Sequence, residues 1–193
     1  MEDISATIAY LEHIGSSSAD TQVQVLASPQ HPLSPDTVVN ASANETATGP
    51  EKPFLMYDGI KVIGDEEFQK NVVMTLEFAK KYSPPDYQFI KENNKWIKST
   101  DMLKTAGAGI DGINWGREHL NGGLKVYKNI RGAVMTAAHE SGHNLAYRTN
   151  RSNFDNETYA DSFAKSAQKN LSYVNESEME KFYAEFDFSK FKK

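Results

Sequence analysis

Two histidines and a glutamate lie together in one short stretch of the sequence, His139-Glu140-Ser141-Gly142-His143. In a helix, residues four apart lie one turn apart on the same face, so both imidazoles can bind one metal ion. Glu140 then lies about 100° further round the helix, beside the ion rather than on it. A carboxylate in that position can act as the general base for a zinc-bound water. The pentapeptide therefore predicts a zinc site that can cleave a peptide bond.

Two acidic residues further along the chain, Glu157 and Asp161, fit the rest of such a site. A catalytic zinc usually has three protein ligands and one open position. A reversal of the chain between Ala146 and Asn156 would bring the Glu157 carboxylate to the imidazole pair. Asp161 would follow one turn later on the same face, where it can accept the second N–H of a ligating histidine. The alternatives are that Asp155 or Asp161 is the third ligand instead, or that these acidic residues form only an exposed edge.

The segments that carry these residues predict two helices. Residues 130–147 form the stronger one, with His139 and His143 opposite an apolar stripe of Val134, Ala137, Ala138, Ser141 and Leu145. The alternative is that the helix is only amphipathic, in which case the two histidines are ordinary surface residues. Residues 148–153 are a polar connection, and Asp155 or Asn156 can cap the next helix. That helix turns Ala160, Phe163, Ala164, Ala167 and Leu171 inward.

Upstream of these helices the sequence predicts another helix and a small sheet, with folded structure beginning near Phe54. Asp65-Glu66-Glu67 marks the start of a backing helix, and Ser83-Pro84-Pro85 marks its end. Strands are predicted at 87–91 and 95–98, joined by a hairpin turn, and at 113–115 and 124–127, divided by a Gly122-Gly123 turn. These elements together predict an α+β fold with a backing helix, a short mixed sheet, an active-site helix and a glutamate helix.

The N-terminal residues 1–53 differ from the rest in composition. Ile4, Ile8, Leu11 and Ile14 recur at helical spacing and predict a short amphipathic helix that ends at Gly15. Residues 16–53 are rich in Ser, Ala, Thr, Asn and Pro, which is typical of a disordered or extended linker. We interpret this region as a tether, with a removable pro-segment as the alternative.

Composition excludes several classes of function. The formal net charge of −5 gives no electrostatic signal for nucleic acid, and the absence of cysteine excludes disulfides and thiolate metal sites. Glycines at 107, 109, 112 and 116 indicate a loop, without the strand and helix that a nucleotide-binding motif requires. We expect no membrane span and no signal peptide, so the chain would be cytoplasmic or secreted by a non-classical route.

The motif pair resembles that of a known enzyme family. His-Glu-x-x-His followed by Asn156-Glu157-Thr158-Tyr159-Ala160-Asp161-x-Phe163-Ala164 is similar to the gluzincin metallopeptidases. The short chain and the order of elements resemble the minigluzincins over roughly residues 54–172. The Glu-x-x-Ala-Asp-x-Phe-Ala run is also similar to peptidases that cleave repressors in mobile elements and stress responses. A metzincin would need a glycine and a histidine where this chain has Ala146 and Thr149.

The resemblance implies a zincin-like catalytic domain at 54–172 that holds one Zn²⁺. His139, His143 and Glu157 would bind the ion, Glu140 would serve as base and acid, and Asp161 would orient a histidine. The family also uses a tyrosine or histidine to stabilise the transition state, for which the candidates here are Tyr147, Tyr159, Tyr173 and His119. A packed aromatic, or a histidine in a loop, is the alternative for each of them.

Two further segments complete the prediction. Residues 113–115 could form an edge strand that pairs with an extended substrate. The aromatic tail at 173–193 is expected to pack over the core, and by resemblance it could cover the cleft instead.

The sequence therefore predicts a zinc-dependent endopeptidase whose partner is a peptide or protein substrate. A zinc-binding regulatory or interaction module with little hydrolysis is one alternative, and a delivered metallopeptidase toxin or effector is another. Nothing in the pattern predicts an oligomeric state.

Overall fold

A computed structural model describes residues 52–149 and 157–192, all within one compact unit. The described residues form six α-helices and a five-stranded mixed sheet, which confirms the α+β fold. The N-terminal helix and most of the linker predicted for 1–53 lie outside the described residues, as do Asp155 and Asn156, the predicted caps. In the described ranges no helix is long and apolar enough to cross a membrane.

The sheet has the strand order β1-β2-β3-β5-β4. The strands are β1 (Phe54–Tyr57), β2 (Ile60–Ile63), β3 (Trp96–Thr100), β4 (Ala106–Gly109) and β5 (Gly112–Gly116). The pairs β2–β3 and β3–β5 are parallel, while β1 and β4 run antiparallel to their single neighbours. The turn between β1 and β2 has positive φ at Asp58 and Gly59, as a tight two-residue hairpin requires. Strands β1 and β4 are therefore the two edges of the sheet.

The backing helix α1 (Glu66–Tyr82) forms as the sequence predicts. The Asp65 carboxylate accepts a hydrogen bond from the Phe68 N–H at 2.8 Å, and acidic residues follow in the first turn, where they favour the helix dipole. The apolar positions of this helix are buried in the core, among them Phe68, Val72, Leu76 and Phe78.

The strand predicted at 87–91 is wrong, because Pro84–Asn93 forms the helix α2. Pro84 and Pro85 end α1, but they also occupy the first turn of α2, where a missing N–H costs nothing. The strand predicted at 95–98 is confirmed as β3 and the strand at 113–115 as β5.

The strand predicted at 124–127 is also wrong. The helix α3 (Arg117–Gly123) runs through Gly122 and Gly123, and a 3-10 turn (Tyr127–Asn129) then leads into the next helix. The glycine-rich stretch predicted as a loop instead contains β4. Gly109 of this strand makes room for the Trp96 ring, because a Cβ there would lie 2.9 Å from the Trp96 Cη2.

The C-terminal tail packs on the core. Helix α6 (Glu176–Glu185) sets Phe182 edge-on against Phe78 of α1, with the ring centroids 5.2 Å apart. The 3-10 turn Phe188–Phe191 places Phe191 against Tyr57 of β1. The tail thus contributes buried side chains to the same core as the predicted catalytic domain.

Candidate metal centre

The helix predicted at residues 130–147 is confirmed as α4 (Ile130–Thr149). His139 and His143 project from one face of it, with their Nε2 atoms 3.1 Å apart. Their side chains are mostly buried, at 19% and 9% exposure. The structure therefore brings together two imidazole nitrogens at the wall of a cleft rather than on an open surface.

The glutamate helix α5 (Glu157–Asn170) packs against α4, and a glycine permits this contact. A Cβ at Gly142 would lie 2.7 Å from the Phe163 Cδ2 and 3.1 Å from the Ala160 Cα. Such distances are shorter than van der Waals contact, so only glycine fits between the histidines at this separation of the helices. No sequence pattern indicates this role for Gly142, although the residue lies inside the motif.

Glu157, the first residue of α5, completes a triangle of possible metal ligands. Its Oε2 lies 3.2 Å from the His139 Nε2, and its Oε1 lies 3.5 Å from the His143 Nε2. A tetrahedral site with bonds of about 2.0–2.1 Å has edges of about 3.3–3.4 Å, close to these separations. His139, His143 and Glu157 can therefore bind one metal ion.

Asp161 lies behind this triangle. Its Oδ1 is 3.1 Å from the His139 Nδ1, on the far side of the imidazole ring from the ligand triangle. With Nδ1–H donating to the carboxylate, the Nε2 lone pair of His139 is left for a metal ion. The structure thus places Asp161 where the sequence predicted it.

Glu140 lines the same cleft as the ligand triangle, a cavity of about 350 Å³ whose other wall is formed by residues 105–108. The nearby backbone N–H of Ala108 favours the charged form of this carboxyl group. Burial raises the pKa of Glu140, and the neighbouring His139 and His143 partly offset that shift. Glu140 is therefore a buried carboxyl group with a raised pKa that lies beside the metal ligands and is not itself a ligand.

The edge strand of the cleft is β4, and not residues 113–115 as predicted. Those residues belong to β5, which is paired on both sides by β3 and β4. The Thr105 carbonyl accepts a hydrogen bond from the Gly116 N–H at 2.6 Å, so its backbone faces β5. Because backbone groups alternate in direction along a strand, those of Ala106 and Ala108 face the open edge.

A buried polar network holds α4 against the sheet. The Asn144 side-chain amide donates to the Asn94 Oδ1 at 2.8 Å and to the Gly112 carbonyl of β5 at 2.9 Å. Asn94 in turn donates to the Ser141 Oγ at 2.7 Å. Ser141 and Asn144 are fully buried, so the network fixes the rotation of α4 and with it the direction of both histidines. In the sequence, this network is indicated only by polar residues on the inward face of the helix.

Of the predicted transition-state donors, His119 lines a groove whose wall also includes His139 and Glu140. Tyr173 instead donates to the Tyr82 carbonyl at 2.5 Å, at the C-terminal end of α1. Tyr159 stacks edge-on against Phe163, and among the described cavities neither it nor Tyr147 forms part of the lining.

The tail does not line the cleft in the described part of the chain, since every lining residue comes from β4, the loop before it, α4 or α5.

Comparisons with protein families, curated proteins and solved structures find no match.

Proposed function

We propose that the protein is a zinc-dependent endopeptidase of the gluzincin type. The observation that supports this most strongly is the position of Glu140, a buried carboxylate beside three metal ligands and opposite an open strand edge. A metal site that serves only folding requires ligands but no such base. Hydrolysis of a peptide bond requires this combination of a metal centre, a neighbouring base and an edge that can bind the substrate.

The ligand set fits zinc, and the neighbouring Glu140 carboxylate favours a hydrolytic zinc site over the non-haem iron that the same ligands can bind. Two imidazoles and one carboxylate form a three-ligand site, with a position left open for water or substrate. When bound, zinc supplies Lewis acidity to the scissile carbonyl and lowers the pKa of a water molecule.

Glu140 carries the proton transfers in this proposal. Its carboxylate would accept a proton from the attacking water and then donate that proton to the leaving amine. Burial raises the pKa of this carboxyl group, which suits a group that both accepts and donates a proton.

The substrate would be an extended peptide that adds a strand to β4. The backbone groups of Ala106 face the open edge and can pair with such a peptide. A folded protein offers few extended segments whose backbone groups are free to pair with β4, so we infer that the substrate is a peptide or an unfolded stretch of protein. His119 is our candidate for stabilising the charge that develops on the scissile carbonyl oxygen.

The alternative is a zinc-binding module without hydrolysis, and removal of the metal separates the two. We expect the full-length chain to cleave a reduced, alkylated protein, to lose that activity on dialysis against a chelator, and to regain it with one equivalent of zinc. Cleavage fragments identified by mass spectrometry are the measurement. Undiminished cleavage by the metal-free chain, or none by the zinc-loaded chain, would contradict the proposal.

A further inference from the structure

We propose that the outer face of the sheet binds an acidic amphipathic helix of a partner protein. The outer face is the side of β1, β2 and β3 that points away from the core. Because successive residues of a strand point to opposite sides of a sheet, the registers of these three strands define it. Its side chains are those of Phe54, Met56, Lys61, Ile63, Trp96, Lys98 and Thr100. The inference does not depend on the proposed function, because none of these residues lines the metal cleft.

The two sides of the sheet differ in burial. On the inner side Ile60 and Ile97 are fully buried. On the outer face Phe54 and Met56 are 50% and 56% exposed, and Trp96 is partly exposed. A sheet face that meets water normally carries polar side chains. Exposed apolar side chains grouped in this way therefore indicate a binding surface.

The register of the strands makes this surface continuous. Phe54 is paired with Ile63, and Met56 is paired with Lys61, which in turn is paired with Trp96. Neighbouring strands are about 4.8 Å apart, so the surface from β1 to β3 is about 10 Å wide. This width matches the diameter of one α-helix with its side chains. A single helix that lies along β2 would therefore contact β1 on one side and β3 on the other.

Trp96 provides a fixed aromatic contact on this surface. A Cβ at Gly109 would lie 2.9 Å from the Trp96 Cη2, and a Cβ at Gly112 would overlap the Trp96 Cδ2. The indole ring therefore lies against the backbones of β4 and β5, where only glycine leaves room for it. An aromatic ring that is held in place and still partly exposed is typical of the residues that dominate binding at protein interfaces.

The charges of the outer face favour an acidic partner. Lys61 and Lys98 are its only charged side chains, although the whole chain has a net charge of −5. The Lys61 Nζ lies 4.1 Å from the centroid of the Phe54 ring. Lys98 is exposed and forms no ion pair with the residues that the structure describes. Carboxylates beside the apolar stripe of an amphipathic helix would be complementary to both lysines.

The same charges argue against two other occupants. A second copy of the chain, related by a two-fold axis, would bring the lysines of both copies into one interface, where like charges repel. A nucleic acid strand would find two lysines on a chain of net negative charge, which is too little positive charge for strong phosphate binding. An acidic helix needs only a few carboxylates and gains the apolar contacts as well.

The first test compares two labelled, end-blocked helical peptides of about fourteen residues, which is long enough to cover the strands. Both carry leucine on one face, and the flanking positions are glutamate in one peptide and lysine in the other. We expect the full-length chain to bind the glutamate peptide with a Kd of about 10–100 μM at low ionic strength, and the lysine peptide at least about tenfold more weakly. The measurement is fluorescence anisotropy. Equal binding of the two peptides, or no binding of either, would overturn the proposal.

Reversal of one charge tests the position of the peptide. Lys98→Glu should weaken binding of the glutamate peptide by at least about fivefold and strengthen binding of the lysine peptide. Lys70→Glu makes the same change of net charge at an exposed position of α1, away from the outer face, and should bind both peptides as the wild type does. If Lys70→Glu has the same effect as Lys98→Glu, net charge rather than the outer face determines binding, and the proposal fails.

Removal of one apolar side chain tests the other half of the surface. Met56→Ser should weaken binding of the glutamate peptide by at least about fivefold. Met102→Ser is the matched control, since Met102 is 92% exposed and lies after β3 rather than on the outer face. Both methionines are exposed, so both variants should unfold within about 3 °C of the wild type. Loss of binding in neither variant, or equally in both, would contradict the proposed surface.

NMR of the complex identifies the residues that the peptide contacts. The indole N–H signal of Trp96 should shift when the glutamate peptide is added, while the amide signals of residues 105–108 in the metal cleft should not. Shifts confined to the cleft would overturn the proposal. So would a dimer of the free chain that Met56→Ser dissociates, because the occupant would then be a second copy. Tighter binding of a thymidine dodecanucleotide than of the glutamate peptide would identify nucleic acid as the occupant instead.

Discussion

Replacement of Glu140 by glutamine should lower the rate of peptide cleavage by about 10²–10⁴-fold, because a general base of this kind contributes that much. Glutamine keeps the size of the side chain but cannot accept the proton. The ligand triangle does not include Glu140, so the zinc content of the variant should equal that of the wild type. The two measurements are the initial cleavage rate and the zinc content of the purified protein.

Glu180→Gln is the matched control for this experiment, since Glu180 is exposed on α6 and away from the cleft. It should keep both the rate and the zinc. A Glu140→Gln protein that cleaves at the wild-type rate would show that Glu140 is not the base. A variant that loses zinc together with activity would show instead that this carboxylate supports the metal site.

Gly142→Ala should weaken zinc binding by at least about tenfold and destabilise the fold by about 1–3 kcal/mol. The new Cβ would overlap the Phe163 ring and press on the Ala160 backbone. Helix α5 must then move away from α4, and Glu157 moves with it. The measurements are a zinc titration against a competing chelator and urea unfolding of the metal-free protein.

Gly132→Ala makes the same substitution on the same helix, at a position where the added Cβ meets nothing within 4 Å. This control should keep its zinc affinity and gain about 0.5–1 kcal/mol in stability. If Gly142→Ala also binds zinc as tightly as the wild type, then the close approach of α4 and α5 does not set the position of Glu157.

The elements that could be predicted from the sequence are those with strong periodicity or clear end signals. Residues 66–82 and 130–149 each combine an apolar stripe with a recognisable start or stop, and both are helices. The His139–His143 pair and Glu157 were predictable because ligand chemistry restricts residue types to few choices and helix geometry restricts their spacing.

Other parts depended on contacts between distant residues. The stretch that contains β4 has no apolar alternation, and Gly109 in it is small because the Trp96 ring, distant in sequence, packs against it. The two prolines after Ser83 indicate the end of one helix and the start of another equally well. Gly142 and Asn144 acquire their roles only when Phe163 and Asn94 are brought against them.

The claim that His139, His143 and Glu157 form one metal centre is tested most directly by the zinc content of the wild type and three variants. After equilibration with zinc and gel filtration, the wild type should carry about one zinc ion per chain. His143→Ala and Glu157→Ala should each carry much less, while Glu180→Ala should match the wild type. Full zinc occupancy in both ligand variants would contradict the centre, and with it the peptidase built upon it.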